Sequence, residues 1–170
     1  VKACISGTQE PASPAPGGWY DRLLTLELTA PKAQADGSAE RYFYSLDGAG
    51  ETELLSSARV SLYSEGAHVL ALRSQDAAGN EQTQEIAFHV DLREVDRLDV
   101  SATQESDGTY AYLTIAAQDM TSGLYAVGYR TSDTAPWTDQ KTSPYAIRVP
   151  VDQVRSVQVH AVDNAGHEKI

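Results

Sequence analysis

Apolar and polar residues alternate one for one along most of this chain. Leu24, Leu26, Leu28 and Ala30 alternate with Thr25, Glu27 and Thr29. Tyr42, Tyr44 and Leu46 alternate with Phe43 and Ser45. Ala58, Val60 and Leu62 alternate with Arg59 and Ser61, and Ile86, Phe88 and Val90 with Ala87 and His89. Successive side chains of a strand point to opposite faces, so this pattern predicts strands with one buried face. No stretch of about 11 residues or more keeps a helical period between turn signals. Turn chemistry separates the runs at Asp36-Gly37, Asp47-Gly48, Glu65-Gly66 and Asp107-Gly108.

The pattern occurs twice. Asp76-Ala77-Ala78-Gly79-Asn80-Glu81 returns as Asp163-Asn164-Ala165-Gly166-His167-Glu168, an offset of 87 residues (163 − 76). Carried back without a gap, that offset sets Leu70 and Leu72 on Val157 and Val159, and Val60 and Leu62 on Ile147 and Val149. Tyr42 falls on Tyr129. Leu26, Leu28 and Ala30 fall on Leu113, Ile115 and Ala117. Four segments matching at one fixed offset imply two copies of one module, each with about six or seven short strands, which predicts a small β-sandwich.

The expected division is a leading segment and Pro-rich linker over 1–18, a first sandwich over 19–91 and a second over 92–170. The joint Asp91-Leu92-Arg93-Glu94-Val95-Asp96 has neither glycine nor proline and should be stiff. Pro11 to Gly18 is proline-rich and reads as a linker or a broken edge strand. Residues 1–8 read as the tail of a preceding segment or as a first strand. The second copy lacks counterparts of Ile86, Phe88 and Val90, so its final strand is expected to be short or missing. The chain begins at Val1 without a secretion signal and reads as a piece of a longer protein.

The repeated Asp-x-Ala-Gly segment has a mechanical meaning. Its aspartate can accept hydrogen bonds from backbone N–H groups two residues on, and its glycine supplies the positive φ that the turn needs. Between the last two strands it would set their register, since a slip of one residue turns Leu70 and Leu72 outward.

Composition narrows the function. The chain has 170 residues, 13 Lys plus Arg against 24 Asp plus Glu, and a net charge of −11. Such an acid excess argues against nucleic acid or anionic lipid as partners. No run approaches the ~20 apolar residues of a membrane helix. The one cysteine, Cys4, excludes an internal disulfide framework and a cysteine-based metal cluster.

The stretch from Gly18-Trp19-Tyr20 through Tyr44-Ser45-Leu46-Asp47-Gly48 and Glu65-Gly66-Ala67-His68 to Arg73-Ser74-Gln75-Asp76-Ala77-Ala78-Gly79-Asn80 resembles a bacterial immunoglobulin-like domain, fibronectin type III-like in shape. The second copy resembles it through Ser122-Gly123, Tyr129-Arg130, Trp137 and Ala161-Val162-Asp163-Asn164-Ala165-Gly166, departing from it at His167. The resemblance implies an all-β chain of two tandem immunoglobulin-like sandwiches from a secreted or cell-surface bacterial protein. Such modules act as spacers, stalks and adhesion units beside neighbouring domains, and the resemblance brings no catalytic residue with it.

Other chemistry is weakly supported. Asp76 and Asp163 sit in equivalent turns and read as turn caps rather than the facing carboxylate pair of a glycosidase. His68, His89, His160 and His167 show no helical zinc spacing, and His68 reads as a partly buried structural ring. Asp91, Glu94 and Asp96 offer some calcium oxygens without a recognisable loop. Asn80 and Asn164 lie in exposed turns, outside the buried apolar setting that an isopeptide bond with a lysine needs. Tyr110 and Tyr112 should project outward from one strand, either as a sugar-stacking platform or as a cross-strand packing pair. Trp19 and Trp137 are expected to cover the ends of the sandwiches, with Tyr42 and Tyr129 in the core.

These observations lead to a non-catalytic spacer or interaction pair with no cofactor. The alternative is a carbohydrate- or protein-binding adhesion module using Tyr110 and Tyr112, with a glycan or a host or cell-surface protein as partner.

Overall fold

The computed structural model describes residues 14–15, 17–31 and 40–170 in full and residues 2–6 by their backbone. The turn at Asp36-Gly37, most of the Pro-rich stretch and the Cys4 side chain lie outside the described residues. Among those described, the only helical element is a 3₁₀ turn at Val151–Ser156. The all-β expectation holds. The chain divides into two compact units, Val1–Pro14 with Arg22–Leu92, and Ala15–Asp21 with Arg93–Ile170.

In the first unit, β1 (Lys2–Ser6) pairs antiparallel with β3 (Thr25–Thr29), and β3 with β6 (Ser57–Ser61). The segment at residues 2–6 is thus a strand, in register from Lys2 opposite Thr29 to Ser6 opposite Thr25. A second sheet runs in the order β8–β7–β4–β5, formed by β4 (Arg41–Leu46), β5 (Thr52–Glu53), β7 (Gly66–Gln75) and β8 (Glu81–Val90). The alternation decides what is buried. Leu26 and Leu28 on β3, Leu70 and Leu72 on β7, and Phe88 and Val90 on β8 are all buried, together with Leu24, Leu54 and Leu62.

The second unit repeats the plan. β9 (Arg97–Gln104), β10 (Tyr110–Gln118) and β13 (Tyr145–Pro150) form a sheet in the order β13–β10–β9. Opposite it lie β11 (Leu124–Arg130), β12 (Thr138–Gln140), β14 (Gln158–Asp163) and β15 (Glu168–Lys169), in the order β12–β11–β14–β15. Val95, Ile115, Val127, Val159 and Ala161 make one buried cluster from both sheets. Leu113, Ile147 and Val149 make another, and Tyr129 and Val157 pack on both. The short strand β2 (Trp19–Tyr20) belongs to the segment that groups with this unit.

Two departures from strict repetition matter. The 87-residue offset fails at the first strand, because Ile5 stands opposite Leu26 whereas Ala102 stands opposite Leu113. The connection after β1 is therefore longer than the one after β9, and Ala15–Asp21 lies within it. At the other end β8 has ten residues and β15 has two. The 3₁₀ turn Val151–Ser156 also occupies the places of Ser64 to Val69, part of which is strand in the first copy.

Leu28 is 1% exposed. Leu28→Ala should lower the unfolding free energy by about 2–5 kcal/mol in chemical denaturation, through lost transfer energy and the cavity left behind. A loss under about 1 kcal/mol would mean that this face is not tightly packed.

Candidate functional site

The chain's distinctive polar chemistry sits at turns and on the outer sheet faces. Asp76 closes the β7–β8 turn. Its Oδ1 accepts from the Ala78 and Asn80 amides, each at 2.9 Å, and its Oδ2 accepts from Asn80 Nδ2 at 2.8 Å. The Asn80 side chain first, and then the backbone donors, hold its carboxyl below the usual aspartate range. Asp163 repeats the arrangement between β14 and β15. Its Oδ1 accepts from Ala165, Gly166 and His167 amides at 2.7–2.9 Å, and its Oδ2 lies 2.9 Å from His167 Nδ1. His167 thus takes the place of Asn80. Gly79 and Gly166 carry φ of 88° and 96°, a region that favours glycine. Both aspartates are turn caps, as expected.

His68 is buried on the inner side of β7 with Leu70 and Leu72. Its Nδ1 lies 2.8 Å from Asp47 Oδ2, its Nε2 lies 3.1 Å from Ser64 O, and its ring stacks on Phe88 at 5.6 Å. Burial works to raise the Asp47 carboxyl pKa. Hydrogen bonds from His68 and the Val69 amide outweigh it, and the net shift is downward. Both ring nitrogens of His68 are engaged, which leaves it a structural group.

A feature the sequence reading missed lies on the outer face of each four-stranded sheet. In the first unit Arg73 on β7 reaches acids on both sides of its strand. Its Nε donates to Glu51 Oε1 at 2.8 Å and its Nη1 to Glu81 Oε1 at 2.7 Å. Its guanidinium lies 4.2 Å from the centre of the Phe43 ring. In the second unit His160 stands at the equivalent place (160 − 87 = 73). Its Nε2 lies 2.8 Å from Asp139 Oδ1 on β12 and its Nδ1 lies 2.5 Å from Glu168 Oε1 on β15. Trp137 covers the imidazole at 3.8 Å with 5° between the planes, and the Arg130 guanidinium lies 4.5 Å from the Trp137 ring.

Each clamp ties three strands through a cationic or cation-capable side chain and an aromatic ring. Glycine makes room for the second clamp. Gly128 stands opposite His160, and a methyl group there would run into the Asp139 carboxylate and the His160 ring. Trp137 therefore does not cover an end of the sandwich. It lies flat on the outer sheet face, because His160 and Arg130 offer it a ring and a cation to stack with. The signal was present in the sequence: Arg73 with Glu81, and His160 with Glu168, repeat at one spacing across equivalent turns.

Tyr110 and Tyr112 both project from the outer face of β10, opposite Pro150 and Arg148. They are not equivalent. The Arg148 guanidinium lies 3.6 Å from the Tyr110 ring centre and donates to both Glu105 oxygens, at 2.6 and 2.8 Å. One face of Tyr110 is thus covered, while Tyr112 is 47% exposed. The Arg148 hydrogen bond is the main influence holding Glu105 below its usual carboxylate range.

The remaining candidates are occupied elsewhere. Asp96 Oδ2 accepts the Met120 amide at 2.7 Å, and Asp91 is fully buried. Asn164 Nδ2 donates to the Ser122 and Gly123 carbonyls. Lys169 Nζ donates to Val95 O, and Lys141 Nζ lies 4.3 Å from the Tyr125 ring centre. Tyr129 packs on the second unit's core as expected. Tyr42 shares the inner side of β4 with Tyr44 and Leu46, half-buried, with its hydroxyl donating to Glu40.

Two outcomes follow for these groups. Gly128→Ala should destabilise the second unit by about 1–3 kcal/mol in calorimetry, because the clamp must open to admit the methyl group. A neutral result would show the clamp to be loosely held. Asp76→Ala should lower the first unit's melting temperature near neutral pH. A carboxyl held below its unfolded value contributes stability above that value and loses it as pH falls through the folded one. The gap between variant and parent should accordingly close on acidification. A gap that stays constant to about pH 2 would exclude the charged cap.

No protein-family model matches the chain, and no curated protein matches it. Among solved structures it is similar to the fibronectin(III)-like modules of Clostridium thermocellum CbhA, at 12% identity with a TM-score of 0.48, over 99% of this chain and 90% of that one. It is also similar to a 1.5-MDa bacterial ice-binding adhesin, in a structure bearing on host cell surface retention, at 15% identity and a TM-score of 0.41, over 98% of this chain and 60% of that one. At these scores neither likeness adds to the fold that the strand order already defines. That order makes this an all-β chain with an immunoglobulin-like, fibronectin type III-like sandwich fold.

Proposed function

We propose that the chain is a tandem pair of immunoglobulin-like modules, serving as a non-catalytic spacer or interaction segment in a larger bacterial extracellular or cell-surface protein. One observation carries this reading. The acids and histidines with the most defined geometry hold backbone and strands together: Asp76 and Asp163 cap turns, His68 packs on Phe88, and Arg73 and His160 clamp three strands each. Groups so engaged are poorly placed to bind and turn over a substrate. Among the described residues no helix is long and apolar enough to cross a membrane. The net charge of −11 favours a solvated, self-repelling surface, which suits a segment that separates its neighbours.

A spacer must resist extension. Single-molecule pulling on the chain between handles should show two unfolding events, each releasing roughly 25 nm, since about 75 residues extend at ~3.3–3.6 Å each. Extension without any peak would overturn the spacer role.

A second reading, carbohydrate or protein binding, is favoured by the half-exposed Tyr112 beside Glu105 and Arg148. Screening the chain against polysaccharide arrays and surface-protein extracts tests it. Binding that Tyr112→Ala abolishes would establish the adhesion reading. Binding unaffected by that change, or none at all, would remove it.

A further inference from the structure

Both ring nitrogens of His160 meet carboxylates. Nε2 lies 2.8 Å from Asp139 Oδ1 on β12, and Nδ1 lies 2.5 Å from Glu168 Oε1 on β15. An ionised carboxylate only accepts hydrogen bonds, and a neutral imidazole has one N–H to give. Both contacts are hydrogen bonds only when the ring carries two protons. The ring has little room to rearrange. It is 4% exposed, it lies parallel to Trp137 at 3.8 Å, and it fills the space that Gly128 leaves. The two acids are different: their side chains are 46% and 43% exposed, so either can turn out to water.

The first unit shows what the equivalent place holds. Arg73 stands where His160 does (160 − 87 = 73), and Glu81 stands where Glu168 does (168 − 87 = 81). Arg73 reaches Glu81 across the same diagonal of the β7–β8 pair, and it reaches Glu51 on its other side. A guanidinium is a cation at any working pH. The first unit thus has a permanent cation between two acids. In the second unit the same place is cationic only while the imidazole holds its second proton.

We propose that His160 is a proton-operated tie. With two ring protons it holds β12 and β15 to β14, and when one proton leaves, one acid loses its donor and its strand is released at that point. The charged groups around the ring are all accounted for in this arrangement. Asp139 faces it from β12 and Glu168 from β15. Arg130 of β11 lies 4.5 Å from the centre of the Trp137 ring and donates through Nε to Gln158 Oε1 at 2.6 Å. Lys169 of β15 donates to Val95 O instead. Closing the tie takes up a proton. The tie is therefore complete on the acid side of the imidazole titration and is lost as pH rises through it.

His167, in the adjoining turn against Asp163, is a second imidazole. The test therefore uses the chain carrying His167→Asn, which places there the residue that Asn80 supplies in the first unit. Between about pH 5 and 8, ring protonation is followed by ¹⁵N spectroscopy and amide protection by hydrogen exchange, corrected for the intrinsic pH dependence of exchange. Two ring N–H protons should be seen at the acid end and one at the other. Protection of the amides that pair β12 with β11 and β15 with β14 should fall roughly tenfold as the second ring proton is lost. In a chain that also carries His160→Arg, protection should stay level across the range. Protection that is unchanged as His160 loses its proton, or that falls equally in the arginine variant, would overturn the proposal. The ring and exchange measurements on the histidine form decide the matter even if the arginine variant fails to fold.

Discussion

One carboxylate at each Asp-x-Ala-Gly turn determines how the last two strands of a unit can pair. Asp76 gathers the amides of Ala78 and Asn80, and Asp163 those of Ala165, Gly166 and His167. With the turn so closed, β8 has one register against β7. Leu70 and Leu72 then point inward and Arg73 outward. Side chains alternate with a period of two, so a slip by one residue would bring Arg73 into the core and expose the leucines. The core and the outer clamp therefore depend on the same turn.

The two faces of each four-stranded sheet carry different interactions. The inner faces bury aliphatic residues, with His68 stacked on Phe88. On the outer faces a cation-capable side chain on the third strand reaches acids to either side while an aromatic ring packs against it. Ion pairs whose carboxylates are this exposed contribute little singly. Here stacking and hydrogen bonds act on the same three strands, and the rings remove part of each clamp from water.

Comparison of the copies shows how one plan accommodates different solutions. Arg73 retains its charge at any working pH, whereas His160 is charged only when protonated. Around them the partners exchange places: the ring is Phe43 on β4 in one unit, while Arg130 stands at that position in the other and the ring comes from Trp137. Gly128 has no counterpart requirement in the first unit, where Arg41 occupies the place and lies 5.0 Å from the Phe43 ring centre. The flexible guanidinium of Arg73 reaches both acids without needing the space that a flat imidazole lying across the strand demands.

The sequence by itself determined the strands, the buried face of each, the paired turns and the repeat. All of these are written in short-range terms, as alternation at a period of two or as an aspartate and a glycine a few residues apart. Tertiary structure alone decided that residues 2–6 form a strand against β3, that Ala15–Asp21 groups with the second unit, and that Trp137 lies on His160. It also decided that Arg148 covers Tyr110 but leaves Tyr112 open. Each of these depends on which strands become neighbours. Adjacency between residues tens of positions apart follows from how two sheets close over one core, and no local pattern encodes it.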